Sequence, residues 1–335
     1  MKLGFMGSGA IMPVALAAVS QVPAWEKEAI WVRPHSAGRG HDLAEKQGIR
    51  KVYTDLDAFL EDPEIETVYI ALINPVHGDY ARKALLHGKN VLLEKPFTTS
   101  YGEARELAAL ARVKRLYLLE AMPLWHSPIF ARVRELVPTL GKLRLIQCNY
   151  SQYSSRYDAY QKGIVLPAFD PALQGGALYD LNVYNLDFVL ALLGRPEAAS
   201  YHPNRGWNGV DTSGVLLLEY PGCRAELTAA KDSDSPSFLL VQGEKGWLRV
   251  EGKPIHMASV TWQYIQGPDK DQFSTESEVS NEPQQYSACA PEEGNRMVFE
   301  FREYARIIGG KWSAEVQECL EWSLEEARIL EKVSG

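Results

Sequence analysis

Over residues 1 to about 120 the sequence alternates strand-like runs with helix-length amphipathic runs, and this alternation limits the possible folds more than any other feature. The strand-like runs are KLGFM, EAIWVR, VYTD, TVYIALI, NVLLE and RLYLLEA. Between them lie Ala10–Val19, LDAFLEDP, HGDYARKALLHG and YGEARELAALARV. Strands covered on both faces read as near-continuous apolar stretches, and strands separated by helices pair in parallel. The expectation is a doubly wound parallel sheet over residues 1–123.

The first of these strands runs into Gly7-Ser8-Gly9-Ala10-Ile11 and then a helix. This is the strand, turn and helix of a dinucleotide-binding βαβ unit: Gly7 permits the turn, Gly9 lets the backbone approach a pyrophosphate, and the helix start offers N–H groups to the anion. Met12 stands where the third glycine of the pattern belongs, so a generic strand-to-helix turn fits equally well here. The next strand ends in Arg33-Pro34-His35-Ser36, with Arg39 close behind and no acid between Ile30 and Gly40. An acid at this place holds the ribose 2′-hydroxyl of NAD, whereas arginine suits the 2′-phosphate of NADP. Arg33, Ser36 and Arg39 therefore read as an NADP site, with NAD as the other possibility; the alternative is that both arginines are solvated loop residues.

In NVLLEKPF, Val91–Leu93 reads as a buried strand that Pro96 ends, which puts Glu94 and Lys95 at its carboxyl end. Ligands of open α/β sheets bind along that edge. A lysine held there can orient a cofactor or polarise a substrate oxygen; the bland reading is a surface Lys–Glu pair opening a turn.

After the helix SPIFARVRELVPTL the pattern changes. KLRLIQCNYSQYSS, SGVLLLEY, CRAELTAAK, SFLLVQGEKGWLRVE and ASVTWQYIQ read as long strands of an antiparallel sheet with one covered face. GGALYDLNVYNLDFVLALLG has helical spacing, and two amphipathic helices close the chain at about 295–333. These are assigned to a second domain, 124–335, and the polar stretch Asp269–Gly294 to a surface loop. The formal net charge of -8 argues against a nucleic-acid partner. No apolar run is long enough to cross a bilayer, and the first strand is too short and interrupted for a signal peptide. Cys148, Cys223, Cys289 and Cys319 are far apart, and the 7 histidines show no metal-binding spacing. A reduced, cytoplasmic protein without a metal is expected.

The glycine turn, ALINPVHGDYARKALLHGKNVLLEKPF and GGALYDLNVYNLDFVLALLG together resemble the Gfo/Idh/MocA oxidoreductases across nearly the whole chain. Within that family the chain looks most like the branch of dimeric dihydrodiol, xylose and glucose-fructose enzymes, which LLEAMPLWHSPIFARVREL also resembles. The resemblance implies a Rossmann domain followed by an α+β domain with a large open, mostly antiparallel sheet. It implies cofactor contacts at Leu72, Asn74, His77, Glu94, Lys95 and Pro96 besides the glycine turn; for His77 the equal alternative is a helix N-terminal residue with no ligand role. Many relatives carry Asp-x-x-x-His in the middle-domain helix; here the positions read Asp180-x-x-x-Tyr184. A tyrosine there resembles the branch in which Lys and Tyr are the catalytic pair, so Lys95, Tyr184 and Asp180 are the implied catalytic group. Core packing is the other reading of Tyr184.

The chemistry suits the pair. A tyrosine of ordinary pKa costs about 4 kcal/mol to ionise at neutral pH, and a nearby ammonium or a positive nicotinamide favours the phenolate. Arg156 and Tyr157, placed at the end of the first antiparallel strand, and Trp125 are expected to line the substrate pocket; His126 is expected to pack. The implied activity is NADP-preferring hydride transfer at a secondary alcohol or carbonyl of a sugar, cyclitol or vicinal diol. A non-catalytic dinucleotide-binding regulator and an NAD-assisted glycosidase of the same fold are the alternatives. Val215–Leu218, apolar on both alternations, points to an uncovered sheet face, hence a homodimer or tetramer through that sheet.

Overall fold

The computed structural model describes residues 1–265, 282–288, 294–310 and 314–334. The chain forms two compact units: Met1–Pro123 with Ala290–Glu331, and Leu124–Cys289 with Lys332–Gly335.

The first unit is laid down as β1 (Lys2–Met6), α1 (Met12–Val19), β2 (Glu26–Trp31), α2 (Ala37–Gln47), β3 (Lys51–Tyr53), α3 (Leu56–Glu61), β4 (Thr67–Ile70), α4 (His77–Leu86), β5 (Asn90–Glu94), α5 (Tyr101–Lys114) and β6 (Leu118–Ala121). All six strands are parallel, in the order β3-β2-β1-β4-β5-β6. This is the expected doubly wound sheet. Its apolar runs are covered on both faces: Leu3 and Phe5 lie in one core, Met6, Val91 and Leu93 in the other, all at 0% exposure. The winding reverses between β1 and β4, so the carboxyl ends of these neighbours flank a crevice.

The second unit holds α6 (Pro128–Leu136), β7 (Leu143–Ser151), α7 (Tyr157–Gln161), α8 (Val183–Leu193), β8 (Ala198–Arg205), β9 (Asp211–Tyr220), β10 (Cys223–Ala230), β11 (Phe238–Gly243), β12 (Gly246–Lys253), β13 (His256–Tyr264) and β14 (Gln284–Ser287). The eight strands run β14-β13-β12-β11-β7-β10-β9-β8, antiparallel except for the β7–β10 pair. Helix α8 is buried nearly all round and is pinned to the sheet by side-chain amides. Asn182 Nδ2 donates to Leu227 O at 2.9 Å and Asn185 Nδ2 to Thr228 O at 3.0 Å. The pleat sorts β9: Leu216 and Leu218 have no exposure, while Leu217 on the other face is 39% exposed. Two edge strands carry no apolar signal. β8 includes Pro203, which an edge strand tolerates, and β14 is exposed throughout. The stretch Asp269–Gly294, expected as a loop, lies mostly outside the described residues; where it is described, main-chain pairing with β13 makes Gln284–Ser287 a strand.

The closing helices α9 (Met297–Ile308) and α10 (Ala314–Ser334) depart from their assignment to the second domain. The Trp25 indole N–H donates to Phe301 O at 2.8 Å and the Tyr304 hydroxyl to Glu120 O at 2.8 Å. Met297, Phe301 and Tyr304 join one core of the parallel sheet, and Leu320 and Ala327 the other. An amphipathic stripe records that one face of a helix is buried, but not which sheet covers it.

Candidate functional site

At the switch point of the first unit is a cavity of about 390 Å³, lined at the end of β1 by Gly7–Ile11, after β2 by Trp31, Val32, Arg33, His35, Ser36 and Arg39, and after β4 by Ala71, Leu72 and Ile73. Gly7 adopts φ +109°, and a Cβ there would meet Ala71 O at 2.4 Å, so only glycine fits. Its N–H donates to Trp31 O at 2.9 Å, which binds the turn to the neighbouring strand. A Cβ on Gly9 would meet nothing within 4 Å; the loop is open there to a close-lying ligand. Arg33 and Arg39 are exposed at the rim, and Arg39 Nη1 donates to Ser8 O at 3.4 Å. Among the described residues no carboxylate lines the cavity. A phosphate-bearing dinucleotide fits this set: a glycine turn at a helix start, two guanidinium groups and a hydroxyl. Met12, in the third-glycine position, is fully buried and packs α1 into the core.

Glu94 and Lys95 lie half-buried at the carboxyl end of β5, as the proline stop implies, and the Lys95–Pro96 peptide is cis. The Tyr69 hydroxyl donates to Glu94 Oε1. Burial holds the Glu94 carboxyl above its ordinary range, with the Tyr69 hydrogen bond and the Lys95 ammonium acting against it. None of Asn74, His77, Glu94, Lys95 and Pro96 lines the cavity. His77 is the first residue of α4. Its ring is 0% exposed, with Nδ1 2.9 Å from Pro96 O and Nε2 3.2 Å from Leu72 O. Burial lowers its pKa against the pull of those carbonyls. The imidazole ties the turn after β4 to the turn after β5. Asn74 opens the short 3₁₀ turn Asn74–Val76 that leads into α4.

In the second unit Asp180 lies in a π-helical turn, Leu178–Asn182, that leads into α8, and Tyr184 lies in the first turn of α8. The wide turn means that α-helical i, i+4 spacing alone does not set their relation; such turns recur at functional sites. Gly176, at φ +113°, lets the chain enter this turn against Asp211, whose Oδ2 accepts from Leu178 N–H at 2.7 Å and from the Tyr201 hydroxyl at 2.6 Å. Burial raises the pKa of Asp211, and Tyr201 is held far above an ordinary phenol by burial and then by Asp211. Asp180 Oδ2 accepts from Lys231 Nζ at 2.8 Å. Tyr184 is 7% exposed, its ring tilted against Tyr150 with centroids 6.0 Å apart. Lys231, His35 and Asp211 had no motif to mark them.

Arg156 and Tyr157 fall elsewhere in the fold than the strand end expected for them. β7 ends at Ser151, so Arg156 and Tyr157 are not at its end: Arg156 is exposed just before α7, and Tyr157 packs in an aromatic cluster with Tyr160 and Phe169. Ser154 N–H donates to Lys231 O at 2.9 Å, and the chain turns there instead of extending. Trp125 is buried in a 3₁₀ turn, Pro123–His126, with His126 half-buried beside it.

Two family models match: the oxidoreductase family with NAD-binding Rossmann fold over residues 1–121, and the GFO/IDH/MocA C-terminal domain over residues 130–249. The chain is 29% identical to the Bacillus subtilis scyllo-inositol 2-dehydrogenase (NADP(+)) IolU over 332 residues, covering 99% of this chain and 95% of that protein. It is 30% identical to the trans-1,2-dihydrobenzene-1,2-diol dehydrogenase of Sus scrofa, covering 75% of this chain and 74% of that one. In fold it is similar to the 3-ketoreductase KijD10 of Actinomadura kijaniata, solved with NADP and TDP-benzene, at a TM-score of 0.81 and 22% identity over 100% of this chain and 97% of that chain.

Proposed function

The chain belongs to the Gfo/Idh/MocA family of oxidoreductases, and from that premise we propose that it is an NADP-preferring dehydrogenase or reductase acting on a secondary alcohol or carbonyl of a sugar, cyclitol or vicinal diol. The carrying observation is the switch-point cavity, with a glycine turn at its floor, Arg33 and Arg39 at its rim and no acid among its described lining residues. NADP, when bound, supplies the hydride chemistry. Gly7–Ile11 receive the pyrophosphate, and Arg33, Ser36 and Arg39 the 2′-phosphate. Lys95 holds the reacting oxygen of the substrate. Tyr184 takes the alcohol proton in oxidation and returns one to the carbonyl in reduction, and Asp180 keeps that group in order. The two dehydrogenase relatives act on a cyclitol and on a diol, and both offer a secondary alcohol beside another hydroxyl.

The test is a panel of cyclitols, aldoses and trans-dihydrodiols, with NADP reduction followed by absorbance. Turnover of at least one secondary alcohol is expected. Tight NADP binding with no turnover of any member would turn the reading to the dinucleotide-binding regulator.

The same reading includes self-association through the open sheet. The outer face of that sheet carries Leu145, Leu217 and Leu240 among Arg224, Glu226 and Arg249, and β9, β10, β7, β11 and β12 pair side by side beneath them. An apolar patch rimmed by charges is the usual character of an interface. Light scattering at micromolar concentration is expected to give a dimer or tetramer, and a monomer would refute this part.

A further inference from the structure

Lys231 follows the last residue of β10, and its side chain is only 2% exposed. An ammonium at that depth is costly unless it is paired and hydrogen-bonded. Among the groups of the same unit that meet it are Asp180 Oδ2 at 2.8 Å, Ala168 O at 2.6 Å, and the ring of Phe169, whose centroid lies 4.6 Å away. Phe169 is itself fully buried and stacked on Tyr160 at 4.9 Å. The Lys231 main chain is held on both sides, its N–H donating to Thr212 O at 2.8 Å and its carbonyl accepting from Ser154 N–H at 2.9 Å. A cation fixed this firmly sets the carboxylate it touches. Asp180 differs in environment: its side chain is 39% exposed, reaching solvent on one side and Lys231 on the other.

We propose that Lys231 is a positioning residue, which fixes the orientation and the negative charge of the Asp180 carboxylate. The inference rests on the reading above, in which Asp180 and Tyr184 serve the substrate. A methionine at this place would pack on Phe169 without any cost of burying charge, and buried ion pairs are commonly no more stabilising than such apolar replacements. Asp180, being part-exposed, would recover water if the amine were lost. Stability therefore gives no reason for the amine, whereas orientation of Asp180 does.

An ammonium at contact distance favours the ionised carboxylate, so removing it raises the pH at which Asp180 takes up a proton. Among the described residues, the other ionisable groups at or near this turn include Tyr179 in the turn itself, bonded to Ser334; Tyr184, packed on Tyr150; Asp211, bonded to Tyr201; and Asp232, which accepts from the Thr212 and Ser213 hydroxyls. Asp180→Asn separates the response of Asp180 from theirs.

The experiment compares Lys231→Met, Lys231→Arg, Asp180→Asn and the Met/Asn double variant, using the polyol turned over best in the panel. It measures kcat and KM against pH, NADP affinity by fluorescence titration, and melting temperature. Lys231→Met is expected to lower kcat by about 10- to 100-fold, the scale of a misplaced reacting group, with NADP affinity unchanged and the acid limb of the profile moved to higher pH. Lys231→Arg should restore the wild-type limb and most of the rate. The double variant should be no slower than Asp180→Asn alone, because Lys231 acts through Asp180. Wild-type kcat in Lys231→Met beside a crippled Asp180→Asn would overturn this proposal alone, as would losses that multiply in the double variant. If Lys231→Met melts too early to assay, Lys231→Arg decides: a loss as deep as that of Asp180→Asn overturns the proposal. Wild-type turnover in both Asp180→Asn and Tyr184→Phe would overturn the parent reading and this one with it.

Discussion

The two units hold their polar groups in different ways. In the first, the cavity is built by the carboxyl ends of β2, β1 and β4, adjacent strands of one sheet, and Gly7, Gly9 and Ala10 bring small or no side chains to its wall. Gly7 is there for its backbone angle, and the guanidinium groups of Arg33 and Arg39 are exposed at the rim. In the second, Asp180, Lys231, Tyr184, Tyr150 and Asp211 come from a π-helical turn, a strand end, a helix and two further strands, and side chains hold one another. A site walled in this way binds by shape and tolerates most changes around it. A side-chain site places a proton-handling group with accuracy, and depends on each partner. The division teaches that affinity for the cofactor and rate of reaction should respond to different mutations.

The largest effect expected is that of Lys95→Ala, which removes the ammonium proposed to hold the reacting oxygen. Turnover should fall by about 10³-fold, the upper end of what one stabilising donor contributes, while melting without cofactor hardly changes. Activity near wild type would remove Lys95 from the chemistry. Arg33→Asp acts on the other side of the comparison. It should shift preference from NADP toward NAD by about 1 to 3 kcal/mol, the range for hydrogen bonds to charged groups, and leave kcat with saturating cofactor intact; equal wild-type affinity for both cofactors would break the NADP assignment.

The smallest effect concerns stability of the first unit. Glu300 is fully buried, neither of its carboxylate oxygens has a hydrogen-bond partner among the described residues, and burial, then the charge of Glu94, holds its pKa well above the carboxylate range. A folded-state pKa above the unfolded one means that the folded chain holds the proton more tightly. The stability this gives is full below the ordinary carboxylate pKa and is lost as pH rises through the folded value. Glu300→Gln removes that loss, and should raise the melting temperature at mildly alkaline pH by about 2–4 °C, with less change at acidic pH. A pH dependence identical to wild type would show that Glu300 does not titrate in this way.

What the sequence made legible follows the same division. The doubly wound sheet and the cavity wall Gly7–Ile11, Arg33, Ser36 and Arg39 could be read because their signals are local: apolar runs, a glycine turn, a missing acid; Leu72 came from the family resemblance alone. Lys231 lies 51 residues from Asp180, and Asp211 lies 33 from Leu178. No spacing rule reaches across a sheet in that way. His77 carried a ligand-like residue type, yet its ring is used by two carbonyls that only the folded turns bring to it. The closing helices were legible as helices but not in their docking, since Trp25 and Glu120, which receive them, are remote in the chain. β8 and β14 were missed because edge strands assembled by main-chain bonds need no apolar pattern.

The central claim is that the first unit binds the cofactor and the second moves the proton, and Tyr184→Phe tests it most directly. The substitution keeps the ring against Tyr150 and removes only the hydroxyl. With the best polyol of the panel, kcat should fall by about 10² to 10⁴, the usual worth of a positioned acid or base, while the NADP dissociation constant stays at the wild-type value. A variant that turns over normally, or one whose loss lies in cofactor affinity and not in kcat, would contradict the account.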